Sequence, residues 1–258
     1  MNSSPTPSSN PVLVQAWRGG IVESAHRGAF AVVDAGGRVV ASLGDIERPI
    51  FPRSAVKVLQ ALPLVASGAA DALRLSDEEL ALACASHGGE EAHARTAASM
   101  LAKAGVDAGA LECGAHWPSN EQAARTLARQ EQSPGALHNN CSGKHAGFVC
   151  LGCRLHGGRG DLRGFLAGYV KPGHPVMREV SAAIQAATGW DLARSARGTD
   201  AARSPPTRCR CATWRWPSRA WPAARAWRPT MRGPRCGCAG RWRARPSWWP
   251  APAASTPA

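Results

Sequence analysis

From Ala201 to Ala258 the chain has no Leu, Ile, Val, Phe, Tyr, Asp, Glu, Lys, Asn, Gln or His. Without aliphatic side chains, these 58 residues have nothing from which to build a core. They have no carboxylates either, so their 12 Arg stand uncompensated; removing those from the formal net charge of +13 leaves +1 on residues 1–200. The strongly basic character therefore belongs to the last quarter, and the body is a nearly neutral globular sequence. The body's own gaps also exclude classes of protein. Its five cysteines (84, 113, 141, 150 and 153) are odd in number and show no paired spacing. That argues against a disulfide-framed secreted domain and for reduced thiols in a cytoplasmic protein. No apolar run approaches a membrane span. The Ser/Pro-rich leader from Met1 to Pro11 lacks the apolar stretch of a signal peptide and reads as disordered.

What the last quarter does contain is 10 Pro, 7 Trp, 4 Cys and those Arg. Apart from Met231, every residue type in it is encoded with G or C in the middle codon position. A GC-rich gene read one nucleotide out of register produces such a stretch, because its GC-saturated third position moves to the middle. Codons for Trp214-Arg215 and Trp216-Pro217 each force an Ala in the shifted frame. The run from Ala201 is compatible with Gly-Cys-Ser-Ile-Pro-Thr-Tyr-Ala-Val-Pro-Leu-Arg-Asn-Leu-Ala-Leu-Ala-Phe-Ala-Arg in that frame. Residues 201–258 thus read as an out-of-frame, unstructured tail. An Arg/Trp tail could instead bind nucleic acid, with Arg on phosphates and Trp stacked on bases. No repeat is visible, however, and Cys209-Arg210-Cys211 and Cys236-Gly237-Cys238 are not the C-x₂-C pairs of zinc fingers. Nucleic acid is the weaker reading.

In the body, Val12–Arg18, Ala29–Val33 and Arg38–Ser42 are expected as strands, with Asp34-Ala35-Gly36-Gly37 as a hairpin turn. Helices are expected from Pro52/Arg53 to about Ala66, and over Asp77–Ala85, Glu90–Lys103, Glu121–Gln130, Ser142–His156 and Pro175–Ala187. Capping boxes are expected at Ser76-x-x-Glu79 and Ser119-x-x-Gln122. Gly105 and Gly189 fit C′ stops, and Pro175 fits a helix start. Strands first and helices after predict an α+β or three-layer architecture for residues 12–200.

Chemistry concentrates in three segments. His138-Asn139-Asn140-Cys141-Ser142-Gly143-Lys144-His145-Ala146-Gly147-Phe148 packs a thiol, a lysine and two histidines around a helix start, which an apolar core should not tolerate. Arg53-Ser54-Ala55-Val56-Lys57 places Ser54 and Lys57 one helical turn apart. A serine hydroxyl needs a base to become a nucleophile, and a desolvated lysine can serve. On its own S-x-x-K is common, and a surface serine beside a snorkelling lysine is the plain alternative. Cys84-Ala85-Ser86-His87-Gly88-Gly89-Glu90 would expose Ser86, His87 and Glu90 at a helix end, or Ser86 could simply cap the next helix. Cys113-Gly114-Ala115-His116-Trp117-Pro118 offers His116 as a ligand, a substrate contact or a solvated loop residue. Cys84, Cys150 and Cys153 read as core thiols, and His26, His156 and His174 as surface residues.

Taken together, R-S-A-x-K, C-A-S-H-x-G-E, C-G-x-H-x-P and N-N-C-S-G-K-H-A-G resemble the L-asparaginase II family over about residues 11–200, in the expected order. This is the asparaginase class that is similar to serine β-lactamases and glutaminases. Gly198-Thr199-Asp200, continued in the shifted frame, also fits its pattern. The resemblance implies a serine β-lactamase-like α+β fold and hydrolysis of L-asparagine to L-aspartate and ammonia. It implies Ser54 as nucleophile, Lys57 as its base, and Ser86 as a second hydroxyl paired with a lysine much later in the chain. Arg53, His87, Glu90 and His116 would line the substrate pocket. Cys141 and Lys144 would hold zinc with a cysteine just after Asp200, more to organise the pocket than to supply a hydroxide. A lysine ligand must lose its proton, so zinc binding should weaken at low pH. A homodimer is left open.

The chain departs from this pattern where it matters. Position 202 is Ala, and no lysine follows Lys171. The third metal ligand, the partner lysine and the C-terminal third of the expected fold are missing. Two readings remain: an asparaginase-type amidohydrolase truncated to inactivity by a break near codon 200, and a non-catalytic basic binding protein. Within the enzyme class, glutamine or a β-lactam stays open as substrate.

Overall fold

The computed structural model describes residues 10–158, 160–192, 194 and 209–210. The expected leader lies outside them except for Asn10 and Pro11, as do Gly198-Thr199-Asp200 and all of the tail except Cys209 and Arg210.

Gly19-Gly20 is a two-residue turn between two seven-residue strands. Accordingly β1 (Val12–Arg18) pairs antiparallel with β2 (Ile21–Arg27), with Arg18 opposite Ile21. The sequence reading gives Ile21–Arg27 no strand. β3 (Phe30–Val33) pairs with β4 (Val39–Leu43) across the expected Asp34–Gly37 turn, where Gly37 N–H donates to Asp34 O at 2.9 Å. β5 (Pro49–Ile50) pairs with β6 (Cys209–Arg210). The described residues thus give three two-stranded sheets. A 3₁₀ turn (Arg53–Val56) then leads into α1 (Lys57–Ala66), α2 (Ala69–Ala72), α3 (Asp77–Cys84) and α4 (Glu91–Lys103). α5 (Glu121–Arg129), α6 (Ser142–His156), α7 (Leu162–Leu166) and α8 (Pro175–Thr188) follow. The fold is α+β.

The helix ends follow capping chemistry. Ser76 caps α3 in a complete capping box with Glu79. α5 departs from expectation: its cap is Asn120, whose side chain accepts from Ala123 N–H at 2.9 Å, and not Ser119. Asn and Ser cap about equally well, and the residue one position later takes the role. Gly105 and Gly189 are left-handed at φ +74° and +66°, as C′ stops require.

α6 organises the rest. Every residue from Ser142 to Gly152 is buried, and α1, α2, α3, α4, α7 and α8 all pack on it. Gly143 makes this possible, since a Cβ there would run into the carbonyl oxygen and Cγ of Leu82 on α3. The core (including Leu64, Met100, Leu101, Phe148, Val149, Leu151, Tyr169 and Val176) takes no residue from β1–β5. The hairpins stand outside it, so a three-layer arrangement is not formed by the described residues. Trp17 is 60% exposed and Ile21 75%. Among the described residues no helix is long and apolar enough to cross a membrane.

Candidate active site

Three chain segments converge on one lysine. Arg53, at φ +48°, holds a left-handed conformation unfavourable for a residue with a side chain, and it sets the turn that presents Ser54. Lys57 opens α1 and is 3% exposed. Its Nζ donates to Ala85 O at 2.8 Å, to Ser86 Oγ at 2.8 Å and to Asn140 O at 3.2 Å. Ser86 Oγ in turn lies 2.8 Å from Ser54 Oγ. The expected Ser54–Lys57 pair is therefore bridged, because Ser86 stands between hydroxyl and amine. Ser54 and Ser86 are both exposed along this line, and the lysine is sealed behind them. Ser86 does not cap the following helix; Glu90 occupies that position.

His87 is buried and tightly held. Its Nδ1 accepts from Gly89 N–H at 3.1 Å, which leaves Nε2–H to donate to Ser142 Oγ at 2.9 Å. It stacks on His93 with centroids 4.8 Å apart. Burial, reinforced by the nearby positive charges of His93, Lys57 and His116, pushes His87 down from 6.5 to about 4. Gly89, at φ +79°, lies so close to His138 O and Pro118 that a Cβ would collide, which fixes the turn beyond Ser86. His116 is half-buried: Nδ1–H donates to Trp117 O at 2.7 Å, and Nε2 accepts from Asn140 N–H at 3.0 Å. Glu90 is exposed and takes a 3.2 Å bond from Asn120. Arg53, also exposed, adjoins Ser54 in sequence. Of the four expected pocket residues, Arg53 and Glu90 face solvent, whereas His87 and His116 brace the backbone around Ser86 and Asn140.

Two asparagines of the site were not singled out from sequence. Asn139, 4% exposed, donates through Nδ2 to Cys113 O (2.9 Å) and Gly114 O (3.0 Å), and its Oδ1 accepts from Cys141 N–H (2.9 Å). Asn140 O accepts from both Lys57 Nζ (3.2 Å) and His87 N–H (3.3 Å). Adjacent asparagines just before a helix were the available signal, since such side chains favour local backbone bonding. Cys141 and Lys144 lie one turn apart at the start of α6, 8% and 3% exposed. His145, fully buried beside them, bonds Tyr169 Oη at 2.6 Å. The core accommodates this reactive cluster because its polar atoms are largely bonded. Burial raises the Cys113 thiol to about 11, with the neighbouring Cys141 charge adding to the effect and the Lys144 and Lys57 charges opposing it. Of the remaining expected surface histidines, His174 instead caps α8, accepting from Val176 N–H at 3.2 Å.

Chemically, an exposed hydroxyl joined through a second hydroxyl to a buried amine suits acyl transfer. Among known proteins, the model of a family described as L-asparaginase II matches residues 14–211. No curated protein matches the chain.

Proposed function

The chain belongs to the L-asparaginase II family, and from that premise we propose that the Ser54–Ser86–Lys57 line is the acyl-transfer centre of an asparaginase-type amidohydrolase acting on L-asparagine. One observation carries the reading: successive contacts of 2.8 Å run from Ser54 Oγ to Ser86 Oγ to Lys57 Nζ. In the reactive state Lys57 is the neutral amine. Ser54 Oγ attacks the side-chain amide carbonyl while its proton passes to Ser86 and the Ser86 proton passes to Lys57. Collapse of the tetrahedral intermediate breaks the C–N bond, and the proton held at Lys57 returns through Ser86 to the departing nitrogen as ammonia. Water then attacks the acyl-serine by the same route, giving L-aspartate and free Ser54. The resemblance pairs Ser86 with a later lysine, and here Lys57 already reaches it. Because Lys57 touches Ser86 directly, Ser86 as nucleophile is the second reading.

Zinc belongs to the same proposal. Cys141 and Lys144 offer a buried thiol and amine, a donor pair suited to a borderline-soft cation. Bound there, zinc would act as a Lewis acid and organise the pocket. Two protein donors are one short of the three usual in an open zinc site, and Ala202 stands where the third was expected. The frame change near codon 200 is part of this reading, which makes the present chain a poor catalyst. The test is to restore the frame by one nucleotide and measure ammonia release from L-asparagine. Activity abolished by Ser54→Ala supports the assignment. Full activity in Ser54→Ala with loss in Ser86→Ala transfers the nucleophile to Ser86.

A further inference from the structure

A neutral lysine has two N–H bonds and one lone pair, so its use as a base depends on which neighbours take the N–H bonds. Two of the partners of Lys57 are backbone carbonyls, Ala85 O at 2.8 Å and Asn140 O at 3.2 Å, and a carbonyl can only accept. With both N–H bonds engaged there, the lone pair faces Ser86 Oγ at 2.8 Å. Ser86 then donates to Lys57 and accepts from Ser54, 2.8 Å away, which is the direction that proton transfer requires. The Asn140 carbonyl comes from a segment 83 positions along the chain and must be held in place separately. Asn140 is gripped at both backbone groups: its O also accepts from His87 N–H at 3.3 Å, and its N–H donates to His116 Nε2 at 3.0 Å. The Asn139 side chain, bonded to Cys113 O (2.9 Å), Gly114 O (3.0 Å) and Cys141 N–H (2.9 Å), keeps the loop that carries His116 against this segment.

We infer that His116 is a positioning residue: it holds Asn140 so that the Asn140 carbonyl keeps the Lys57 lone pair on Ser86. The inference rests on the acyl-transfer reading above, and it gives His116 a role other than the substrate contact that the family resemblance implies. Both backbone partners of the ring have fixed polarity. Trp117 O, at 2.7 Å, can only accept, so Nδ1 carries the proton; Asn140 N–H can only donate, so Nε2 is bare. The opposite tautomer would turn Nε2–H to Asn140 Oδ1, 3.3 Å away, and release both backbone groups.

The test follows acetylation of Ser54 by p-nitrophenyl acetate in the full chain, read by mass spectrometry. An activated ester needs no protonation of its leaving group. Ser54 Oγ bonds to the acetyl carbon, the ester C–O bond breaks to release p-nitrophenolate, and the Ser54 proton ends on Lys57 through Ser86. Lys57→Met should slow the labelling; no labelling of Ser54 in the parent, or an unchanged rate in Lys57→Met, would overturn the reading and the inference together. His116→Phe fills similar space without an acceptor and should slow the labelling about 10- to 100-fold. His116→Gln, whose Oε1 can accept from Asn140 N–H, should keep most of the parent rate, which a space-filling role would not allow. With Lys57→Met slow, a parent rate in His116→Phe, or a His116→Gln as slow as His116→Phe, would overturn the role of His116 and leave the acyl-transfer reading standing. Should His116→Phe fail to fold, ¹⁵N NMR of the parent at alkaline pH decides. A His116 proton on Nδ1 alone is expected, and one on Nε2 refutes the inference.

Discussion

Replacing His87 with glutamine should alter how the stability of the body responds to acid. In the folded chain, burial first, then the charges of His93, Lys57 and His116, hold His87 down at about 4 against 6.5. Between those values the unfolded chain binds the proton more tightly than the folded one. Stability from this group is therefore complete above about pH 6.5 and is lost as pH falls toward 4. With one pKa unit worth about 1.4 kcal/mol, the loss between pH 7.5 and pH 5.0 comes to about 2 kcal/mol. The substituted glutamine does not titrate. It can still donate to Ser142, but Gly89 N–H loses its acceptor, which costs about 1–2 kcal/mol at pH 7.5. Urea unfolding followed by helical circular dichroism should show His87→Gln weaker at pH 7.5, with the gap closed or reversed at pH 5.0. Equal losses in the two proteins between those pH values would refute the claim that His87 is held neutral by its surroundings.

Other consequences follow from the same geometry. In the frame-restored enzyme, Ser54→Ala should lower kcat for asparagine by several orders of magnitude. Lys57→Arg should be nearly as damaging, because arginine keeps its proton; steady-state ammonia release measures both. The chain as it stands should turn over more than tenfold more slowly than the restored enzyme in the same assay, and equal rates would dismiss the proposed break near codon 200. Glu79→Ala should cost about 2–4 kcal/mol in urea unfolding. The carboxylate is buried and accepts from Ser76 N–H (2.7 Å), Lys103 Nζ (2.6 Å) and Ser99 Oγ (2.7 Å).

The longer helices were legible because periodicity and caps agree locally, whereas the short α2 and α7 were not read from the sequence. The Ser76–Glu79 box and the glycines at 105 and 189 stop or start helices where their chemistry demands. β2 was equally open to reading, through Gly19-Gly20, but Ile21–Arg27 alternates weakly because its side chains meet no core. The convergence of Ser54, Lys57 and Ser86 was readable as a set of residue types. Its order was not: that Ser86 bridges the other two depends on the approach of α3 to α6 through Gly143, a contact between distant segments. His87 shows the same limit. Its neighbours in the chain suggest a pocket residue, whereas Ser142, 55 positions away, makes it an internal brace.

The central claim is that Ser54 is the acylated residue, with Ser86 and Lys57 carrying its proton. The most direct test is mass spectrometry of the frame-restored enzyme after inactivation by an asparagine analogue that carries a diazoketone in place of the side-chain amide. The account predicts a single covalent adduct on the peptide containing Ser54, lost in Ser54→Ala. An adduct on Ser86 in the unsubstituted enzyme, or inactivation with neither serine labelled, would contradict it.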